Sequence, residues 1–197
     1  MSVKTVPLNT PDTGYENRRI IGGKTFHVLS EEVEINASVA EVWAEVAGNF
    51  VNGAEIAESL NASHGIGDAP TEGLGAERLL DINFQGKRIK AKERIVDFRD
   101  GGDVREFTYE VYENQGAPIG LRTYNTWYVR RGPEDNAYLG NVLIFRANIF
   151  VLTSLVGKML TRSGSIRGGL LTYKHYLETG EKKVSTDQLL AKYPQTT

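Results

Sequence analysis

The sequence predicts an α+β domain in which one strand and two short helices precede six further antiparallel strands and a long C-terminal helix. Three observations lead to this fold class. Apolar and polar residues alternate through successive short segments, as they do in half-buried strands. Clusters of Gly, Pro, Asn and Asp separate these segments at the spacing of an antiparallel sheet. Near the C-terminus, apolar residues instead recur every three or four positions, which is typical of an amphipathic helix.

The length of 197 residues favours a single domain with flanking segments. We expect the domain at residues 26–180, with a polar N-terminal arm or tail at 1–25 and a polar C-terminal tail at 181–197. One short helix is predicted within the C-terminal tail, at Thr186–Lys192.

Composition argues against several classes of function. The chain has no cysteine and no run near the ~20 apolar residues that cross a bilayer. Its start lacks the apolar core of a secretory signal, so we expect a cytoplasmic protein. The net charge is −2 and basic residues are scattered, which predicts no nucleic-acid partner. His27, His64 and His175 lack metal-ligand spacing, so we expect no metal and no other cofactor.

The first strand leads directly into a helix. His27–Ile35 alternates between apolar and polar residues, and after Ala37 the apolar residues take helical spacing. Ser38 occupies the N-cap position with Glu41 three residues later, which is the arrangement of a capping box. Trp43 lies on the apolar side of this helix, where it is either a core anchor or a wall of a pocket.

The remaining elements follow in order. A second short helix is predicted at Ala54–Leu60, and then a weak strand at Asn61–Ile66. The last helix is predicted over Thr153–Glu178, a length of about 40 Å. Its glycines indicate a kink or a close approach to the sheet. Between the weak strand and the last helix, turn residues separate five stronger strands, which are Gly75–Phe84, Lys87–Asp97, Val104–Tyr112, Gly120–Arg131 and Asn136–Ala147.

The hairpin loop Gln85-Gly86 predicts the register of two strands. A two-residue loop pairs Phe84 with Lys87, and this pairing places Arg78 opposite Glu93. Both charged residues lie on the otherwise apolar face of their strands. A slip by one residue would turn that face to the wrong side of the sheet. We therefore predict a cross-strand Arg–Glu pair on the inward face.

The next strand can add an aromatic residue to this pair. Phe107 and Tyr109 share one face, and either can lie beside Glu93, because the connection does not fix the register. A cluster of Arg78, Glu93 and Tyr109 then has three interpretations. The charges are buried together for structural reasons, or the cluster orients a ligand's carbonyl or hydroxyl group, or Glu93 and Tyr109 act as acid and base.

The last two strands are harder to orient. In Gly120–Arg131, the set that contains Asn125 and Trp127 is better suited to the inside than the alternate set. Asn136–Ala147 is apolar on both faces. One of its faces is then expected inside, and the other under another element or in a subunit contact, which makes a homodimer one prediction.

These segments, taken in order, resemble the START-like superfamily (SRPBCC, Bet v-type), which comprises polyketide cyclase/dehydrase and lipid-transport proteins. The resemblance covers roughly residues 27–180. It rests on the closing helix and on VEINASVAEVWAEV at 33–46, GLGAERLL at 73–80, KERIVDFRD at 92–100 and FTYEVYENQGAPIG at 107–120. It implies a helix-grip fold, in which a curved antiparallel sheet of seven strands closes around the C-terminal helix and leaves a cavity.

The resemblance implies binding of a small hydrophobic or amphipathic molecule, such as a lipid or a polyketide, in that cavity. One alternative is a cyclase/dehydratase-like enzyme that uses Glu93 and Tyr109 for proton transfer and carbonyl binding. Arg78 weakens this alternative, because a nearby cation lowers the pKa of a carboxylate and makes it a poorer base. Another alternative is a non-catalytic dimeric module with a filled cavity. The residues expected to contact a ligand are Arg78, Leu80, Ile82, Glu93, Ile95, Phe107, Tyr109, Asn125, Trp127, Met159, Ile166 and Leu170.

Overall fold

The computed structural model describes residues 18–21, 24–84, 86–117, 121–148, 155–160 and 164–194. Within these residues, eight strands form one antiparallel sheet in the order β1-β2-β8-β7-β6-β5-β4-β3. The first long strand, β2, therefore lies beside the last strand, β8. The strands are β1 Arg18–Ile21, β2 Lys24–Ile35, β3 Leu60–Gly65, β4 Glu77–Phe84, β5 Lys87–Arg99, β6 Val104–Gln115, β7 Arg122–Arg131 and β8 Ala137–Arg146.

The predicted α+β fold class is confirmed. The seven predicted strands correspond to β2–β8, and β1 adds a short edge strand from the segment expected to form the arm. Register shifts interrupt the pairing of β3 with β4 and of β5 with β6. Such bulges bend a strand and increase its twist, so they help the sheet to curve.

The first helix, α1 (Val39–Gly48), begins as predicted. The Ser38 side chain accepts from the backbone N–H of Glu41, and the Glu41 side chain accepts from the backbone N–H of Ser38, which completes the capping box. Trp43 is 5 % exposed. Its ring packs against those of Phe98 and Phe107, at centroid distances of 5.5 and 6.0 Å. Trp43 is therefore a core anchor.

The second short helix differs from the prediction. It is a 3₁₀ helix at Phe50–Glu55, whereas the sequence pattern predicts Ala54–Leu60. The turn begins earlier because Phe50, directly after α1, is 1 % exposed and packs into the core. It ends earlier because the Ser59 carbonyl already accepts from the backbone N–H of Asn83, at 2.9 Å, beside β4.

The long C-terminal helix is shorter than predicted. Residues 155–160 form a helical segment, α2, and the long helix α3 spans Ser165–Thr179. Gly164 precedes α3 with a φ of 59°, a left-handed conformation that interrupts a right-handed helix. The helix predicted over Thr153–Glu178 is therefore interrupted at Gly164, one of the glycines that indicate a kink, and its predicted first residue lies outside the described residues.

The residues that follow α3 pack against the rest of the protein. The short helix α4 (Thr186–Lys192) lies where the sequence predicts it, and its Leu189 is 1 % exposed in the main core. Between α3 and α4, Lys183 donates from its backbone N–H to the Ile56 carbonyl at 2.9 Å and from Nζ to the Ala57 carbonyl at 3.0 Å. These contacts bind the C-terminal segment to the region after the 3₁₀ helix.

Apolar residues form a cluster on each face of the sheet. The main core lies on the inner face, which we define as the face covered by α1, the 3₁₀ helix, α3 and α4. The outer cluster belongs to β2, β7 and β8 and includes Val142 and Ile144, each 4 % exposed in the single chain. This face, expected under another element or in a subunit contact, is thus already buried. A homodimer stays a prediction.

Within the described part of the chain, no helix has the length and apolarity needed to span a membrane.

Candidate ligand-binding site

The predicted register of the β4–β5 hairpin is confirmed. Phe84 pairs with Lys87, and Arg78 pairs with Glu93. In the turn, Gly86 has a φ of 75°, which glycine adopts without the steric cost that other residues incur. Both charged side chains are buried, with 10 % exposure for Arg78 and 5 % for Glu93.

Arg78 and Glu93 form an ion pair in which one carboxylate oxygen makes both contacts. Nε and Nη2 of Arg78 lie 2.7 and 2.6 Å from Glu93 Oε2. Nη1 donates to the backbone carbonyl of Phe50 at 2.6 Å. The guanidinium lies 4.1 Å from the ring centroid of Phe50 and 5.3 Å from that of Tyr109. Aromatic faces attract a cation, so these rings add to the stabilisation of the Arg78 charge.

Burial and the charge of the partner shift the pKa of each residue of this ion pair in opposite directions. Burial raises the pKa of the Glu93 carboxyl above its ordinary value, and Arg78 partly offsets that rise. Burial alone would lower the pKa of Arg78, but Glu93, Tyr109 and Tyr173 together hold it above its ordinary value. Arg78 stays charged, and with ionised Glu93 the pair has no net charge.

Tyr109 joins the pair through Arg78 rather than through Glu93. A bulge in β5 places Glu93 opposite Val111, two residues beyond Tyr109. The Tyr109 hydroxyl accepts from Asn125 Nδ2 at 2.9 Å. Burial, and secondarily the negative charge of Glu93, raises the pKa of Tyr109. The structure thus brings the three predicted residues together, with Tyr109 lying against the guanidinium.

Asn141 extends this cluster, although the sequence pattern does not predict it as a site residue. Its Nδ2 donates to Asn125 Oδ1 at 2.6 Å, and the residue is 2 % exposed. In β8 it lies between Leu139 and Leu143 on the inward face, so a polar interruption of an apolar face was the available signal. The inner face therefore carries a polar track, which consists of Glu93, Arg78, Tyr109, Asn125 and Asn141.

Tyr173 of α3 is a second residue that the sequence does not single out, because there it is one member of an apolar stripe. Its ring packs edge-on against Trp127, at a centroid distance of 5.4 Å. The Tyr173 hydroxyl and Nη1 of Arg78 both lie within 4.0 Å of the position that a Cβ atom at Gly53 would occupy. Burial raises the pKa of Tyr173. Tyr173 therefore meets the polar track from the helix side.

Comparison with solved structures gives clear matches, whereas no family model and no curated protein matches the sequence. A START superfamily protein from Mycobacterium smegmatis is 12 % identical with a TM-score of 0.55, over 78 % of this chain and 99 % of that one. Ara h 8.0201 is 10 % identical with a TM-score of 0.58, over 78 % and 99 %. Norcoclaurine synthase from Thalictrum flavum is 17 % identical with a TM-score of 0.54, over 80 % and 90 %.

These three proteins share one architecture, which matches the antiparallel sheet, the short helices and the long C-terminal helix described above. This chain has the helix-grip fold. The resemblance seen in the sequence is thereby confirmed at the level of the fold. Identities this low leave the function open, because one fold serves many functions.

The helix-grip fold positions the other predicted ligand contacts on β4–β7, α2 and α3. Those in the packed core, with at most 3 % exposure, are Leu80, Ile95, Phe107 and Leu170. Those that stay half-buried are Ile82, Asn125, Trp127, Met159 and Ile166. The first group fills the interior, and the second retains accessible surface.

Two surface clefts of this helix-grip protein contain no residue of the polar track in their lining. One, of about 400 Å³, is lined by residues of β6 and β7 together with Asn148. The other, of about 750 Å³, lies between the start of α1, the β5–β6 loop and the end of β7. Neither is lined by a predicted ligand contact. Across the described ranges, no group of three His, Cys, Asp or Glu residues could hold a metal ion.

Proposed function

We propose that this helix-grip protein binds a small, largely apolar molecule between the inner face and α3, with the molecule's polar end at the polar track. The observation that carries the proposal is a row of buried polar groups on an otherwise apolar face. Buried polar groups are costly unless they are hydrogen-bonded. Ligand pockets typically combine apolar walls with a few placed polar groups, and the polar track has that composition.

Tyr173 supports the presence of free space beside the track. The Tyr173 ring packs on Trp127, and both side chains are only half-buried although they pack against the main core. We take the accessible surface that these two core-facing rings keep as support for a hollow between the sheet and α3.

A structural neighbour indicates the size of ligand to expect. The norcoclaurine synthase structure contains dopamine and hydroxybenzaldehyde, two small aromatic molecules. By analogy of fold, a ligand of similar size suits this chain. A lipid or a polyketide as that ligand, and a cytoplasmic location, are further parts of the proposal.

The proposal is tested with native mass spectrometry of the purified protein and with titration of the neutral lipophilic dye Nile red. We expect a co-purified small molecule or saturable 1:1 dye binding. Ile166→Trp enlarges a half-buried side chain of α3, so it is expected to weaken dye binding about tenfold or more. Leu74→Trp is the matched control, because Leu74 is 65 % exposed. Absence of both a co-purified molecule and saturable dye binding would overturn the proposal.

A second candidate function is cyclase/dehydratase-type catalysis. One observation favours it: among the described residues, Glu93 Oε1 has no hydrogen-bond partner, because Arg78 contacts only Oε2. Burial raises the pKa of Glu93, which suits a general base. Once the bound molecule is identified, Glu93→Gln is expected to keep its binding and lose its turnover. Unchanged turnover would remove catalysis by Glu93.

A further inference from the structure

The polar track offers a ligand no unpaired charge. Arg78 is neutralised by Glu93, and its remaining contact goes to a backbone carbonyl. Opposite Asn141 on β2, Glu31 lies 3.9 Å from Arg167, so this next carboxylate also has a cationic partner. A charged group that enters a buried site loses its hydration and needs a partner of opposite charge. The residues of the track itself therefore favour a ligand whose polar end is neutral. From outside the track, the Glu45 carboxylate of α1, which accepts from Asn49 Nδ2 at 2.9 Å, acts on Tyr173, and the ammonium probe below tests whether a cation uses it.

Hydrogen bonds along the track run in one direction. Asn141 donates to Asn125 at 2.6 Å, and Asn125 donates to the Tyr109 hydroxyl oxygen at 2.9 Å. The Tyr109 oxygen is thus an acceptor within the protein, and its proton has no acceptor among the described residues. Successive hydrogen bonds polarise one another. The two amides therefore make the Tyr109 O–H a better donor.

The Tyr173 hydroxyl reaches the same region from α3. Among the described residues it has no hydrogen-bond partner, although it lies near Nη1 of Arg78. The Tyr173 ring packs on Trp127, whose side chain also interacts with the Tyr109 hydroxyl. One hydroxyl from the sheet and one from the helix therefore both have a proton to donate beside the same arginine.

We infer that the bound molecule presents a neutral acceptor oxygen, such as a ketone or ester carbonyl, to the hydroxyl groups of Tyr109 and Tyr173. A carbonyl oxygen has two lone pairs and accepts from two donors, which matches the two available protons. A hydrocarbon leaves both protons unpaired, and a carboxylate is buried without a free cation. This assignment rests on the proposed function, because it names the chemistry of the ligand at the same site.

Four probes with one bicyclic skeleton test the assignment by calorimetry: 2-acetylnaphthalene, 2-ethylnaphthalene, 2-naphthoate and 2-naphthylmethylammonium. We expect the ketone to bind about tenfold more tightly than the ethyl compound, as two neutral hydrogen bonds predict. Both charged probes are expected to bind more weakly than the ethyl compound. Tyr109→Phe and Tyr173→Phe are each expected to reduce the ketone's preference about threefold, and the double variant to abolish it.

Tyr128→Phe is the control, because the Tyr128 hydroxyl donates to Glu32 on the outer face. It is expected to keep the ketone preference, and thermal melting checks that every variant is folded. If the ethyl compound binds but the ketone binds no better, or if either charged probe binds best, the assignment is overturned while the proposed function stands. A preference that survives in the double variant overturns it too. If none of the four probes binds and Nile red does not bind either, both this assignment and the proposed function are overturned.

Discussion

Two sets of arginine, glutamate and tyrosine lie on opposite faces of the sheet, and they differ in how completely their hydrogen bonds are used. In the outer set, Glu32 Oε2 accepts from the Tyr128 hydroxyl and from Arg130 Nε, each at 2.9 Å. Glu32 Oε1 contacts Arg130 Nη2 at 2.5 Å. Both carboxylate oxygens and the tyrosine proton therefore have partners within the set.

In the inner set, Arg78 contacts only Oε2 of Glu93, and the Tyr109 hydroxyl accepts from an amide instead of donating to the carboxylate. Oε1 of Glu93 and the Tyr109 proton have no partner among the described residues. Residue types alone therefore do not mark a site. The outer set has its hydrogen bonds satisfied within itself, and the inner set retains unused hydrogen-bonding capacity.

Removal of the inner arginine is expected to have the largest effect on stability. Arg78→Met leaves Glu93 buried without a partner, and we expect a loss of about 3–5 kcal/mol in the free energy of unfolding. Arg130→Met is expected to cost about 1 kcal/mol or less, because the Arg130 side chain is 38 % exposed and solvent screens its pair. Urea denaturation measures both losses.

The double variant of the ion pair is the control for this prediction. Arg78→Met combined with Glu93→Leu removes both charges, so most of the lost stability is expected to return. Equal losses for the inner and outer single variants would contradict the distinction between the two sets.

Two glycine-to-alanine variants test whether the outer set is a packed structural unit. A Cβ at Gly140 would overlap the Tyr128 ring, so Gly140→Ala is expected to destabilise the protein by about 1–3 kcal/mol. At Gly169 in α3 the nearest atom is 3.8 Å away, on Trp127, which is an ordinary contact. Gly169→Ala is therefore expected to stabilise by about 0.5–1 kcal/mol through helix propensity. Thermal unfolding that gives the same sign for both variants would refute this account.

Two carboxyl groups of the hairpin, Asp81 of β4 and Glu93 of β5, are expected to respond to pH with opposite signs. Hydrogen bonds from Arg88 lower the pKa of Asp81 from 3.8 to about 2. Asp81 therefore contributes stability that is complete above pH 3.8 and lost as the pH falls towards about 2. Burial raises the pKa of Glu93 above 4.5, so its contribution is complete below pH 4.5 and lost as the pH rises through the raised value.

Urea unfolding as a function of pH separates these two contributions. Asp81→Asn is expected to flatten the acid limb of the stability curve, and Glu93→Gln to remove part of the decline above pH 4.5. The slopes are compared rather than the absolute stabilities, because Glu93→Gln also leaves Arg78 without its charged partner. Slopes that change in the same pH range for both variants would count against the assignment.

The smallest effect is expected at an exposed pair, which gives the baseline for the others. Lys92 and Glu113 lie 2.8 Å apart, with side chains 36 % and 49 % exposed. Lys92→Gln is expected to change the free energy of unfolding by less than about 1 kcal/mol, and less still in high salt. A loss as large as that for Arg78→Met would show that burial does not explain the difference.

The sequence predicts well those features that depend on neighbouring residues. The capping box of Ser38 and Glu41 and the pairing of Arg78 with Glu93 across a two-residue turn are local, and the structure confirms both. The alternation of apolar and polar residues also orients β7 correctly, with Asn125 and Trp127 on the inward face.

Features that depend on distant partners were not predictable. The register shifts between β5 and β6, which set Glu93 opposite Val111, arise from pairing between strands. Asn141 and Tyr173 belong to apolar patterns. Only the folded chain shows that Asn141 bonds to Asn125 and that the Tyr173 hydroxyl and Arg78 both lie beside Gly53. Likewise, the sequence marks Gly164 as a weak helix residue without revealing that its backbone is left-handed there.

The pairing of β2 with β8 has a consequence for how the chain is made. Ile35 lies opposite Ala137, so an early strand finds its neighbour only after every other strand has left the ribosome. Contacts between segments so distant in sequence slow folding, and an unpaired strand edge invites association with other chains. The nascent protein is therefore expected to depend on chaperones until β8 emerges, and a ribosome stalled before residue 137 should hold a chain that is readily cleaved by protease.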